Sequence, residues 1–384
     1  MATRTISAAG GNYSATATWV EGVVPTSADD VVATATSGNL VISANAACKS
    51  IDLSLYTGTL SGTSSYSWVV TGVAGGTVNV IFGGTVTWAG ALTLNPQTGG
   101  TINLTSNGKL LTINRITIAS DNLVGTVNLM DALTISSTGS YINLSAGTLN
   151  TNNYAISMGY WSSTTTNTRT LNFGTSTITL TRSSSTAWDM TTSTNAVLNI
   201  TSSTIVFTGT TPTLFSGASA RVFGTVRFTG TGVFTINGSN SFTFNTLEIT
   251  PAATDKTNTL MLGYGITVNT SFIVTGAQAY RVLVRSGATG TLKPITCNGT
   301  YTLSYVDFMD IQWGSAVDLS GITDGSGNCG GNSDITFTSY PTAHWINPAG
   351  GAFAVGSNWD TGVIPLPQTD VIFDCAMNSG TFIN

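Results

Sequence analysis

The sequence predicts an all-β protein: a parallel β-helix (β-solenoid) with an N-terminal cap and the start of a second module at the C-terminus. Three observations predict it. Charged residues make up only 8% of the chain, while hydrophobic residues make up 41%. Short alternating segments recur at a near-constant spacing. Residues 10–32, GGNYSATATWVEGVVPTSADDVV, return as residues 350–372, GGAFAVGSNWDTGVIPLPQTDVI.

Composition sets the class. An ordinary globular chain carries about 25% charged residues, and disorder needs low hydrophobicity with high net charge. Here 15 Phe, 11 Tyr and 8 Trp can build a core. Thr, Val, Ile and aromatics favour strands, and no 11-residue window shows the helical period. The net charge is −5, and the 12 Lys and Arg are scattered singly. A nucleic-acid binder would show a basic patch, so none is expected as partner. No run of 18 apolar residues marks a transmembrane helix, so no membrane insertion is expected. The opening MATRTISAAGGNYS lacks the apolar stretch of a signal peptide. A low-charge, Thr- and Asn-rich β protein of this kind is expected to leave its cell by lysis, or through a C-terminal signal.

The first 60 residues differ from the rest of the chain, and residues 1–60 read as the N-terminal cap and first rungs. A solenoid needs its open end covered, because an unpaired strand edge aggregates. From about residue 76 alternation is regular: 77–80, 92–94, 102–104, 116–118, 133–135, 178–180, 205–207, 226–228, 247–249 and 272–274. The steps Ile178, Ile205, Val226, Leu247, Phe272 measure 27, 21, 21 and 25 residues. That interval fits a right-handed coil of three short strands and three turns per rung. Some ten rungs are expected. Inward Ile, Leu, Val and Phe stack into one core; outward Thr, Ser and Asn tolerate stacking on a flat face. Like charges repeated at ~4.8 Å would repel, which accounts for their scarcity. A sandwich or barrel is the competing reading, since it also uses many short strands. Residues 61–340 are the β-helix body with its closing loop, a Gly-rich run over 321–332. Residues 341–384 begin the repeated module.

The repeat is carried by rare residue types. Without gaps, Gly10, Gly11, Trp19, Gly22, Val23, Pro25, Asp30 and Val31 recur as Gly350, Gly351, Trp359, Gly362, Val363, Pro365, Asp370 and Val371. The same register pairs Ile6 with Ile346. Trp19, Gly22, Pro25 and Asp30, with Trp359, Gly362, Pro365 and Asp370, are therefore the structural-repeat residues. Both Trp are expected to be buried plugs.

Two stretches resemble modular β-helical virion surface proteins of tailed bacteriophages: fibres, spikes or head appendages. They are the opening WVEGVVPTSADDVV and the closing VDFMDI…DLSGITDGSGNCGGNSDITF with HWINPAGG and NWDTGVIPLPQTDVIFD. The resemblance covers about a third of the chain. It implies a virion structural protein with an adhesion or host-recognition role. That protein assembles in the host cytoplasm, leaves by lysis and stays on the virion surface. Implied partners are other capsid or tail proteins, a host surface glycan or protein receptor, and further copies of the chain in a homo-oligomer. It implies no catalytic residues. A bacterial surface adhesin or filament protein, located on the cell surface, and a glycan-degrading tailspike are the alternatives.

The chemistry-bearing residues favour no enzyme. A glycosidase needs two carboxylates ~5–9 Å apart. Asp307 and Asp310 are three apart and point to opposite faces of a strand; Asp131, Asp189 and Asp255 are isolated, and Glu21 and Glu248 are the only glutamates. The lone His344 argues against a Ser–His–Asp system. No catalytic, cofactor or metal residue is assigned. Asp29–Asp30 and the Asp324-to-Asn328 loop have calcium-like oxygen spacing, although an Asx-type turn explains them as well. Cys48, Cys297, Cys329 and Cys375 form no CxxC pattern, and buried free thiols are expected, with a disulfide left open. Trp161, Trp188 and Trp313 are the glycan-stacking candidates if exposed.

Overall fold

A computed structural model describes residues 2–119, 124–136, 138–183, 186–210, 213–216, 221–322, 324–339 and 342–373. Every named strand pair in it is parallel, and the only helical elements among these residues are two three-residue 3-10 turns, Thr16–Thr18 and Gly356–Asn358. The fold is the β-solenoid the sequence predicts, with about 15 turns in all. That exceeds the ten read from sequence, because coiling begins at the N-terminus. The chain divides into two compact units: Met1–Thr208 with Leu214–Thr225, and Gly209–Thr213 with Val226–Asn384.

In the first unit one wall is a nine-stranded sheet running Thr3–Thr5, Asp30–Val32, Ser50–Asp52, Thr77–Ile81, Thr101–Thr105, Thr126–Leu129, Gly147–Asn150, Arg169–Asn172 and Ala196–Asn199. The strands of residues 1–60 thus already lie in register with the regular rungs. Side chains alternate across a strand. Hence Val78, Ile102, Val127, Leu149 and Leu171 stack inward as one buried column. Each such side chain contributes roughly 1.5–3 kcal/mol on burial. A second wall carries Ser67–Val70, Ala91–Leu94, Arg115–Ile118, Tyr141–Leu144 and Tyr160–Ser162. The step of 27 residues between Ile178 and Ile205 is a direct register pair on a third wall.

Asparagine lines the outer face of the nine-stranded wall. Asn103 donates to Asn79, Asn128 to Asn103, Asn150 to Asn128, Asn172 to Asn150 and Asn199 to Asn172, at 2.6–3.3 Å. Each amide between the two ends gives one N–H and receives one, so the polar face satisfies itself along the stack.

In the second unit the corners soften. Phe242–Ile249 and Ile266–Thr275 are 8 and 10 residues long, and their pairing shifts register between Phe244 and Thr246. A bulge there joins two short strands without a loop. Leu247 pairs with Phe272. Val226, Phe228, Leu247 and Ile249 are all fully buried. Arg227 lies beside Glu248 on the outer face at 2.7 Å. The Gly-rich run over 321–332, read as a closing loop, contains the strand Ser326–Asn328, and Ser333–Thr336 follows it; Thr323 lies outside the described residues.

Candidate functional site

The most informative local structure is the one built twice. Trp19 follows the turn Thr16–Thr18, and its indole N–H donates to the Tyr13 carbonyl at 2.9 Å. Trp359 follows the turn Gly356–Asn358 and donates to the Phe353 carbonyl at 2.9 Å. Tyr13 meets Trp19 edge-on at 5.1 Å, and Phe353 meets Trp359 edge-on at 4.8 Å. Both Trp are buried. Gly22 N–H then reaches the Trp19 carbonyl at 2.9 Å, and Gly362 N–H the Trp359 carbonyl at 3.0 Å. These two glycines have φ of 67° and 72°, a left-handed turn that favours Gly. An acidic side chain closes each copy: Glu21 accepts from Thr5 N–H and Asp360 from His344 N–H, both at 2.8 Å.

The gap-free register needs one correction. Ser7 N–H donates to Thr18 O at 2.8 Å, whereas Ile346 N–H donates to Asn358 O at 2.9 Å. The second copy therefore carries one extra residue between positions 346 and 350. Ile6 corresponds to Trp345, not Ile346: Ile6 and Trp345 are buried, while Ile346 is 51% exposed. The outlying residues also diverge. Pro25 is buried and Pro365 half-buried. Asp30 pairs with Lys49 at 2.7 Å and accepts from the Ser50 hydroxyl, whereas Asp370 is exposed.

The second copy docks on the last rungs of its own unit through Gln368. The Gln368 side-chain oxygen accepts from Asn328 N–H at 2.9 Å. Its nitrogen donates to the Ser326 and Thr338 carbonyls at 3.0 and 2.8 Å. This amide stands in for a peptide of the next strand and covers the edge of Ser326–Asn328. The first copy has Ala28 at the equivalent position. Alongside, Arg281 donates to the Asp307 carboxylate at 2.8 Å and to the Val306, Asp324 and Gly325 carbonyls at 2.9–3.2 Å. Burial raises the Asp307 carboxyl above its ordinary value and outweighs the opposing effect of Arg281. The cavity here, lined by Arg281, Tyr305, Asp324, Val363 and Leu366, holds about 70 Å³. Small-molecule sites run from about 300 Å³ upward, so this cavity is too small for a sugar, but an adjoining open groove along Arg281, Asp307, Phe353, Pro365 and Leu366 holds about 420 Å³.

The other candidates separate rather than converge. Asp307 faces Arg281, whereas Asp310 accepts from Gly290 N–H at 2.9 Å. Asp29 accepts from the Thr26 N–H and hydroxyl at 3.0 and 2.9 Å and lies 3.6 Å from Arg4. Asp324 accepts from the Ser304 hydroxyl at 2.7 Å, and Asn328 from Gly330 N–H and the Asn332 amide at 3.0 and 2.9 Å. The oxygens of both calcium candidates are thus taken up by protein donors. No group of three or more His, Cys, Asp or Glu side chains that could hold a metal occurs among the described residues. His344 packs in the second copy, its carbonyl accepting from Asp360 N–H at 3.0 Å. Cys48, Cys297 and Cys329 are free, but only Cys48 is the buried thiol expected, accepting from the Trp68 indole at 3.2 Å, whereas Cys297 is half-buried and Cys329 exposed; Cys375 lies outside the described residues.

The three Trp glycan candidates are also corrected. Trp161 and Trp188 are wholly buried, stacked at 5.7 Å. Trp313 is 4% exposed, packed on Phe272, Tyr301 and Phe308. These rings fill the core, where no sugar reaches them. Arg281 and Gln368 escaped sequence reasoning because their partners are carbonyls and amides, which leave no motif. No protein-family model, curated protein or solved structure matches the chain.

Proposed function

We propose that the chain is a structural surface appendage of a bacteriophage virion, a fibre, spike or capsid decoration with an adhesion or host-recognition role and no catalysis. One observation carries the reading: the segments that resemble phage virion proteins, around Trp19 and Trp359, are those the fold uses twice as a Trp-plugged motif with shared hydrogen bonds. Modularity of that kind suits a protein extended by adding rungs. The core supports the same reading. A stacked solenoid exposes long flat faces to a partner, and the guanidinium of Arg281 is engaged by the chain's own carbonyls.

The test is to purify particles from a lysate that expresses this gene and to digest them for mass spectrometry. Peptides of this chain should band with the particles in a density gradient and resist removal by salt. A chain that stays with the bacterial envelope would support the surface-adhesin reading instead. Depolymerisation of host capsule by the purified protein would support the tailspike reading.

A further inference from the structure

The second wall of the first unit carries a solvent-facing strip of arginine and tyrosine side chains. Arg115, Tyr141 and Tyr160 occupy one register column on successive strands. Their neighbours Ile116, Ile142 and Trp161 point into the core. The Arg115 guanidinium donates to the Tyr141 hydroxyl at 3.3 Å. The Tyr141 and Tyr160 rings stack at 4.3 Å with planes 17° apart. Arg182 lies over the far face of Tyr160, 4.1 Å from its centre. The order Arg–Tyr–Tyr–Arg thus spans three rung steps, roughly 14 Å at about 4.8 Å per step.

This strip has positive charge to spare. The described ion pairs engage Arg4, Lys49, Arg227 and Arg281. Arg115 and Arg182 therefore hold no acidic partner among the described residues. Asp189, on the same wall, is engaged by the Thr191 N–H and hydroxyl. Burial of Tyr160, then the neighbouring Tyr141, raises its phenol above the usual value, so it remains a proton donor at neutral pH. The strip is a row of donors, capped at each end by a planar cation that matches a carboxylate.

We propose that Arg115, Tyr141, Tyr160 and Arg182 form a binding site for an extended acidic polysaccharide that carries carboxylates. The two guanidinium groups bind acid groups separated by intervening sugars, and the tyrosine edges between them take the sugar hydroxyls and C–H surface. A single small anion fills only one end, so affinity rises with chain length. As a receptor site this rests on the host-recognition reading; the binding itself does not.

The experiment titrates the full chain with a galacturonate hexamer by calorimetry at low salt, with a neutral glucose hexamer as comparison. The galacturonate hexamer should bind, the monomer at least tenfold more weakly, and the neutral hexamer not at all. Arg115→Gln with Arg182→Gln should lose at least tenfold in affinity. Arg115→Gln alone, at an exposed side chain, should lose about threefold with unchanged melting. Lys256→Gln, at an exposed lysine in the other unit, should bind as the wild type. No binding of the galacturonate hexamer, equal binding of the neutral one, or an equal loss in Lys256→Gln overturns the site. Any of these leaves the virion reading standing, and absence of the chain from particles would leave this site standing.

Discussion

Arg169 shows what a rung-stacked interior does to a charge. It is 1% exposed, yet no carboxylate meets it among the described residues. Its guanidinium donates to the Ser163 hydroxyl at 2.6 Å and to the carbonyls of Ser163, Asn167, Thr192 and Thr194. Burial lowers its pKa without a counter-charge to restore it. The corner loops are thus tied by one side chain. Arg169→Met should strand those carbonyls and cost about 3–5 kcal/mol, since each unmet buried acceptor costs about 1–3 kcal/mol; urea unfolding reads it, and a loss under about 1 kcal/mol would mean the loops rearrange freely. Asp307 carries a pH dependence. Its folded pKa is raised, so its contribution to stability is complete below the unfolded carboxyl value and is lost as pH rises through the folded one. Asp307→Asn keeps an acceptor for Arg281 and removes the titration. As pH rises from about 4 the wild type should lose stability that the variant does not. Parallel melting curves across that rise would refute the assignment.

At the scale of elements, the asparagine ladder shows how an uncharged face is held. Asn128 donates to Asn103 at 3.2 Å and accepts from Asn150 at 2.8 Å. Asn128→Asp keeps the second bond and sets two acceptors against each other in the first. At neutral pH it should cost about 1–3 kcal/mol by urea unfolding, whereas Asn128→Gln, which keeps both groups, should cost less. Equal stability in Asn128→Asp would show that the amides bond to water and not to each other. Much of this level was legible in the sequence. The short alternating segments fall inside observed strands, and the 27-residue step from Ile178 and the 25-residue step from Leu247 are register pairs. What escaped is what periodicity does not encode. Trp161 faces inward because it follows the outward Tyr160, and Trp188 shares its register, a parity that depends on where the strand starts. The Tyr141–Tyr160 stack needed a 19-residue step, shorter than the 21–27 residues read from the regular rungs. The extra residue before Gly350 is invisible to a gap-free alignment, and only the backbone bonds of Ser7 and Ile346 reveal it.

At the scale of the whole molecule, low charge, parallel stacking and a repeated motif belong to one physical design. Identical faces recur every rung, so charges are sparse and amides and hydroxyls replace them. The parallel pair Thr3–Thr5 with Asp30–Val32 returns as Ala343–His344 with Val371–Ile372, each beside its Trp plug. We propose that a chain built this way serves as a surface element of a phage particle. The most direct test is electron cryo-microscopy of intact particles from a phage that encodes the chain. The account predicts solenoid density with a rung spacing of about 4.8 Å on the capsid or tail surface, into which both Trp-plugged motifs fit. Particles whose surface density is fully explained by other chains would contradict it.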